Sequence, residues 1–271
     1  MKRNVLPGFG LSLGYTVFYL SAVVLVPLAV LLIQPFGIGW DKFWKAATSG
    51  RALAAYGVSF GTALTAAAIN FVVGLAAAWV LVRYEFPGRK ILDALVDFPF
   101  ALPTAVAGVC FATLYAPNGW LGTGLEAIGI HVVNTTTGIT LALVFIGFPF
   151  VVRTLQPVLA DFEKEMEESA RSLGADRWQT FARVIFPAVF PSLVTGFTLA
   201  FSRGVGEYGS VIFIAGNLPF KTEIAPLIIM AKLDQFDYGG AASVAAVLLL
   251  FSFVMLLVLN AVQTWANKEP K

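Results

Sequence analysis

Charge is scarce in this sequence. Of its 271 residues only 13% are Asp, Glu, Lys or Arg, against roughly 25% in soluble domains. That deficit makes lipid the main solvent of the chain. A formal net charge of +2, with no basic patch interleaved with aromatics, excludes a nucleic-acid partner. There is one cysteine, Cys110, in an apolar segment, so neither a disulfide framework nor a cysteine metal site can form. The one histidine, His131, reads as a solvated loop residue, and chemistry needing a histidine pair is excluded. No Gly-x-x-x-x-Gly-Lys-Ser/Thr phosphate loop and no His-Glu-x-x-His occurs. The sequence is thus not that of an enzyme, and neither metal nor cofactor is expected on it. Any uphill work must be driven by an ion gradient or by a separate subunit.

Apolar residues, 58% of the chain, fall into six runs near residues 13–33, 57–82, 91–115, 138–155, 188–214 and 240–262, each about as long as a bilayer-crossing helix requires. The first follows Met1-Lys2-Arg3, the outline of a secretory signal. It exceeds the roughly 7–15-residue signal core and lacks a small-x-small cleavage site, so it reads as a retained span. Trp40 and Trp44, in the loop after it, are interfacial anchors. Residues 224–231 are too few to span and read as an interfacial or re-entrant helix. Six spans place both termini on one side, together with twelve basic residues against five opposite. The positive-inside rule then puts both termini in the cytoplasm.

Polar and helix-breaking residues inside the runs mark candidate sites. The second run carries Gly57, Gly61 and Gly74, which allow close helix approach, and one mid-span Asn70. The third contains Asp93, Asp97, Pro99 and Pro103, read as a kinked helix. Its bland reading is packing around two kinks; its functional reading, with Thr104 next to Pro103, is the wall of a path. The fifth holds Arg203 and Glu207, four apart and hence on one helix face. Each costs roughly 2.5–3.5 kcal/mol at a helix centre, so such residues face a bundle interior or water. They form either a self-neutralising structural pair or a path lining, in which case Arg203 favours an anion.

The longest polar stretch runs from Asp161 to Arg183 and looks helical on both sides of Gly174. It is far too charged to enter lipid and reads as a docking surface for a soluble partner.

Within it, Glu168-Ser169-Ala170, Gly174 and Val184-Ile185-Phe186-Pro187 keep the spacing Glu-Ala-Ala, three residues, Gly, nine residues, Ile-x-Leu-Pro. This stretch resembles the cytoplasmic signature of permease subunits of binding-protein-dependent ABC importers, with Ser169, Val184 and Phe186 as replacements that stay small or apolar. Phe98-Pro99-Phe100-Ala101-Leu102-Pro103-Thr104, Pro149-Phe150-Val151-Val152-Arg153-Thr154 and Gly206-Glu207-Tyr208-Gly209 are similar to the sulfate and molybdate branch. Leu6-Pro7-Gly8-Phe9, Arg83-Tyr84-Glu85-Phe86-Pro87-Gly88-Arg89 and Val211-Ile212-Phe213-Ile214-Ala215-Gly216-Asn217 are similar to the sulfate/thiosulfate T or U type.

The resemblance implies an all-α, six-span, type I importer permease in a bacterial inner membrane. Residues 1–55 would hold the N-terminal tail, first span and periplasmic loop. Residues 56–262 would form the permease core, with a coupling loop at 158–187, and 263–271 a cytoplasmic tail. Partners would be a second, W-type permease, two cytoplasmic ATPases that hold ATP and Mg, and a periplasmic sulfate-binding protein. Glu168, Ser169, Ala170, Arg171, Ser172, Leu173, Gly174 and Ala175 would form the ATPase contact, with a short coupling helix around Arg171 to Ala175 and Gly174 at the sharp turn. Pro99, Pro103, Thr104, Arg203 and Glu207 are the candidates for the translocation path. The implied cargo is sulfate and thiosulfate, with molybdate or tungstate as the rival. The rival of another class is a non-transporting scaffold or sensor that recruits a partner through residues 161–183.

Overall fold

The computed structural model describes residues 8–34, 37 and 39–266, with backbone alone at 164, 265 and 266. Lys2, Arg3, Leu6-Pro7, Lys268 and Lys271 lie outside these. The described residues are helical, without strands. Helix α1 (Phe9–Ile33) carries no charged residue and none of its residues is buried. It carries a π-turn at Ser21–Leu25, just before Pro27. A proline ring clashes with the carbonyl four residues earlier, here that of Val23, and a widened turn relieves the clash. The second π-turn, Phe181–Ile185, stands in the same relation to Pro187.

After α2 (Trp40–Ala47), where Trp40 stacks on Phe43 and Trp44 meets both rings in T-shaped contacts, comes α3 (Gly50–Arg83). Its Ser49 cap accepts the Ala52 N–H. The third apolar run is not one kinked helix. It breaks into α4 (Arg89–Val96), α5 (Phe98–Ala101) and α6 (Thr104–Tyr115). Leu102 and Pro103 are extended between the last two, because a residue before proline is driven out of the helical region. A short α7 (Gly122–Ala127) precedes α8 (Thr136–Asp161) and α9 (Lys164–Ser172). Helix α10 (Arg177–Val205) runs through the second π-turn, so the end of the polar segment and the fifth apolar run form one helix. It stops at Gly206, well before residue 214. Then come α11 (Val211–Ile214), α12 (Ala225–Asp234) and α13 (Tyr238–Ala266). Among the described residues five helices, α1, α3, α8, α10 and α13, are long and apolar enough to cross a membrane. At ten residues α12 is too short, as the sequence implies.

The core is a triangle of α3, α8 and α10. Missing side chains let the backbones close up. A Cβ on Gly74 would lie 2.7 Å from Val151 Cγ1, and one on Gly196 2.8 Å from Val151 Cα. Asn70 is fully buried in the same seam, and its Nδ2 donates to the Val144 carbonyl at 3.0 Å. Gly57 and Gly61 do not take part; they face an open groove, where a Cβ on either would meet nothing within 4 Å. Around the triangle, α13 packs on α12, α10, α2 and α1, while α6 packs on α11.

Candidate functional site

The polar segment is a rigid, locally determined turn. Helix α9 has Glu165 and Glu167 in its first turn and Arg171 in its last, which complements the helix dipole. Gly174, at φ +86°, ends it. The Gly174 N–H donates to Arg171 O at 2.9 Å and the Ala175 N–H to Ala170 O at 3.0 Å, the paired bonds of a Schellman cap. Asp176 then opens α10. Its carboxylate accepts the Gln179 N–H at 2.7 Å, and the Gln179 side chain accepts the Asp176 N–H at 3.1 Å, a complete capping box. Arg171 to Ala175 therefore do not form a helix of their own, because Gly174 takes a left-handed conformation that no helix can propagate. They are the last turn of α9 and its cap. Glu168, Ser169, Arg171, Ser172 and Gly174 are exposed, and Ala170 and Ala175 half-buried. Leu173 and Trp178 stand out on either side of the turn, 89% and 73% exposed.

This segment is tied to the bundle by a residue that sequence reasoning missed. Arg83, the last residue of α3, pairs with Glu167 of α9 at 2.7 Å, and both side chains are only 14% exposed. The guanidinium lies 5.3 Å from the Trp79 ring centre and 5.7 Å from that of Phe162. Arg171 approaches Glu167 at 3.7 Å from the outer side. An isolated arginine ending an apolar run is the signal that could have found it.

Four further charge clusters organise the rest. Arg153 on α8 uses all five of its N–H donors. Nε and Nη2 fork onto Asp97 at 2.7 and 2.6 Å, Nη1 reaches Asp93 at 2.8 Å and Gln156 at 2.6 Å, and Nη2 also donates to the Asp93 carbonyl at 2.7 Å. The pair Asp93 and Asp97 thereby locks α4 to α8. Arg51, at the opposite end of α3, forks onto Glu223 at 2.7 and 2.5 Å. Glu223 is 1% exposed and stands just ahead of α12, whose Ala225 N–H donates to Ser59 Oγ at 2.8 Å. His131, in its loop, pairs with Glu126 at 2.8 Å.

Arg203 and Glu207 form the fourth cluster, at 2.5 Å, but not as two residues on one helix. Glu207 lies beyond the end of α10, in the irregular stretch after Gly206. It is 2% exposed, and its Oε1 accepts the Ser210 N–H at 3.0 Å and the Ser210 hydroxyl at 3.2 Å. Arg203 keeps 38% of its side-chain surface exposed. The two chain breaks meet here. A Cβ on Gly108 of α6 would lie 2.4 Å from the Ser210 carbonyl oxygen, and one on Gly209 would overlap Thr104 Oγ1. Thr104, Arg203 and Glu207 are thus gathered around Gly209 and Ser210. Pro103 is exposed beside them, and Pro99 is buried one break away in α5, which packs on α8.

Comparison with known proteins matches this architecture. The profile of the family described as binding-protein-dependent transport system inner membrane component matches residues 70–269. The chain is 50% identical to the sulfate transport system permease protein CysT of Synechocystis, over 93% of this chain and 88% of that one. It is 47% identical to the CysT protein of Escherichia coli K12, over 97% and 95%. Among solved structures, a bacterial ABC transporter that imports the acidic polysaccharide alginate superposes with a TM-score of 0.78 over 95% of each chain at 16% identity, a likeness of fold. Five bilayer-length helices and these matches make it a multi-pass inner-membrane protein, and the chain belongs to the family of binding-protein-dependent transport system inner membrane components.

Proposed function

We propose that this chain is the transmembrane permease subunit of an ATP-driven importer that carries sulfate, and thiosulfate, from periplasm to cytoplasm by alternating access. Identity of 47–50% with the CysT permeases over more than nine-tenths of the chain carries the reading. Residues 89–115, at about 1.5 Å per residue, reach roughly 40 Å even as a broken segment, so they serve as a sixth crossing. Six crossings put the polar segment and both termini on the cytoplasmic side, where the basic residues are in excess. Residues 56–262 act as the permease core, with the coupling loop at 158–187.

The partners are a second, W-type permease, two ATPases that hold ATP and Mg, and a periplasmic sulfate-binding protein. Glu168 to Ala175 dock on an ATPase, and Leu173 is the apolar knob for its cleft. An insertion at Gly174 leaves the bundle folded and abolishes uptake; unchanged uptake would rule out the docking role. On the path, sulfate is acceptor-only and needs donors. Arg203 touches Glu207 and keeps donors to offer, whereas those of Arg153 are all engaged. Thr104 and the Pro99–Pro103 break line the same route.

The test is ATP-dependent uptake of labelled sulfate into proteoliposomes that hold the co-expressed complex. Uptake that requires the binding protein, and is blocked by thiosulfate but not by molybdate, is the expected result. Preference for molybdate would change the cargo. No uptake of any oxyanion would favour a scaffold that recruits a partner through residues 161–183.

A further inference from the structure

We infer that Arg83 is a positioning residue that makes α3 the rigid link between the docking turn and the opposite face of the bundle. The inference rests on the permease reading above but not on the identity of the anion. Helix α9 is joined to its neighbours by two short connectors, Phe162-Glu163 and the capped turn at residues 173–176, which bind it to α8 and α10 but not to α3. The side-chain tie to the bundle is Glu167 on Arg83. Both groups are largely removed from water, where a charge is stable only while paired, so displacement of Glu167 carries Arg83 with it. Arg83 Nε and Nη2 and Glu167 Oε1 form no hydrogen bond among the described residues. The contact is therefore a close ion pair at 2.7 Å rather than an aligned hydrogen bond.

What Arg83 moves is stiff. Helix α3 has 34 residues, roughly 50 Å of helix. Of the three core helices it alone contains neither proline nor π-turn; α8 holds Pro149 and Pro157, and α10 holds Pro191 and the turn at Phe181–Ile185. Kinks arise at such features. The far end of α3 is tied in the same way, by Arg51 on the buried Glu223 and by Ser59 on the first N–H of α12. A movement imposed at Glu167 thus reaches Glu223 without crossing a flexible joint, and the long path between sites has a physical carrier.

Two experiments test this on the assembled complex. In the first, Arg83→Gln, Glu167→Gln and the exchange Arg83→Glu/Glu167→Arg are reconstituted with labelled sulfate. Each single variant retains its ATPase subunits and hydrolyses ATP but imports at least tenfold less sulfate per ATP, and the exchange recovers most of that loss. In the second, Lys221→Cys, beside Glu223, is placed in a Cys110→Ser background, and its modification by a membrane-impermeant thiol reagent is timed with and without ATP. ATP changes the rate when Arg83 is present and not in Arg83→Gln. Three results would overturn the inference: wild-type import per ATP in Arg83→Gln, an exchange no better than the singles, or an ATP response independent of Arg83. Loss of ATPase subunits from Arg83→Gln would also overturn it, since Arg83 would then hold the docking site together rather than transmit from it. Failure of the wild type to import sulfate strikes only the cargo assignment, because the labelling readout uses no substrate.

Discussion

Replacing Gly108 by alanine forces apart the two chain breaks that meet at Ser210. The added Cβ would lie 2.4, 2.8 and 2.9 Å from the Ser210 O, Cα and C atoms, all main chain and unable to swing aside. Ordinary carbon contacts lie near 3.5–4.0 Å, so α6 and the 206–210 turn must separate by about 1 Å. Overpacking of this kind costs about 1–3 kcal/mol, offset by the roughly 0.5–1 kcal/mol that alanine gains over glycine inside a helix. Separation also draws Ser210 from Glu207, whose carboxylate it holds at 3.0 and 3.2 Å, at about 1 kcal/mol. The net loss is roughly 1–3.5 kcal/mol, or a fall of about 2–14 °C in Tm for a chain of this size. Thermal unfolding of the detergent-solubilised complex reads the shift. Gly124→Ala is the control, since nothing lies within 4 Å of its Cβ position, and its Tm stays level or rises. A Gly108→Ala complex that melts at or above the wild-type temperature would refute the reasoning, because the breaks could then part freely.

Arg153→Lys keeps the charge but offers one nitrogen to three partners held by a planar fork. It lowers stability by about 1 kcal/mol, a figure reduced because the Asp93, Asp97 and Arg153 side chains are a third to a half exposed; the same thermal assay reads it. Glu207→Gln leaves Arg203 without its counter-charge, and sulfate uptake by the reconstituted complex drops about tenfold or more, equivalent to ~1.4 kcal/mol. Uptake at the wild-type rate would remove the pair from the path. Lys232, by its hydrogen bond, and then the Gly240 N–H hold the Asp237 carboxyl below its ordinary value. A depressed carboxyl pKa stabilises the fold above the unfolded value of about 3.9 and loses that contribution as pH falls through the folded value. The stability gap between wild type and Asp237→Asn is therefore constant near neutrality and closes below about pH 4, as pH-dependent thermal melts will show.

Much of the site is legible in the sequence where its cause is local. Gly174 ends a helix, Asp176 starts another and Glu168-Ser169-Ala170 lies just ahead of them, because caps are made by atoms at most five residues apart. Pro103 announces a disturbance in the third apolar run, yet not that the helix breaks there into separate pieces. That depends on whether neighbours satisfy the freed backbone groups of a kink or favour an extended turn. Spacing alone puts Glu207 on a helix face that in fact stops short of it, since Ser210, which captures its carboxylate, belongs to the very turn that ends the helix. Only the tertiary structure brings Arg153 to Asp93 and Asp97, 60 and 56 residues away, and Arg51 to Glu223, 172 residues away. By itself the sequence determined what is short-range: apolar runs long enough to cross a bilayer, and the capped turn of the polar segment at Gly174 and Asp176. Which charges meet was decided by how α3, α8 and α10 close on one another at Gly74 and Gly196. In a bilayer every buried charge must find a partner, but the choice among distant candidates is made by packing.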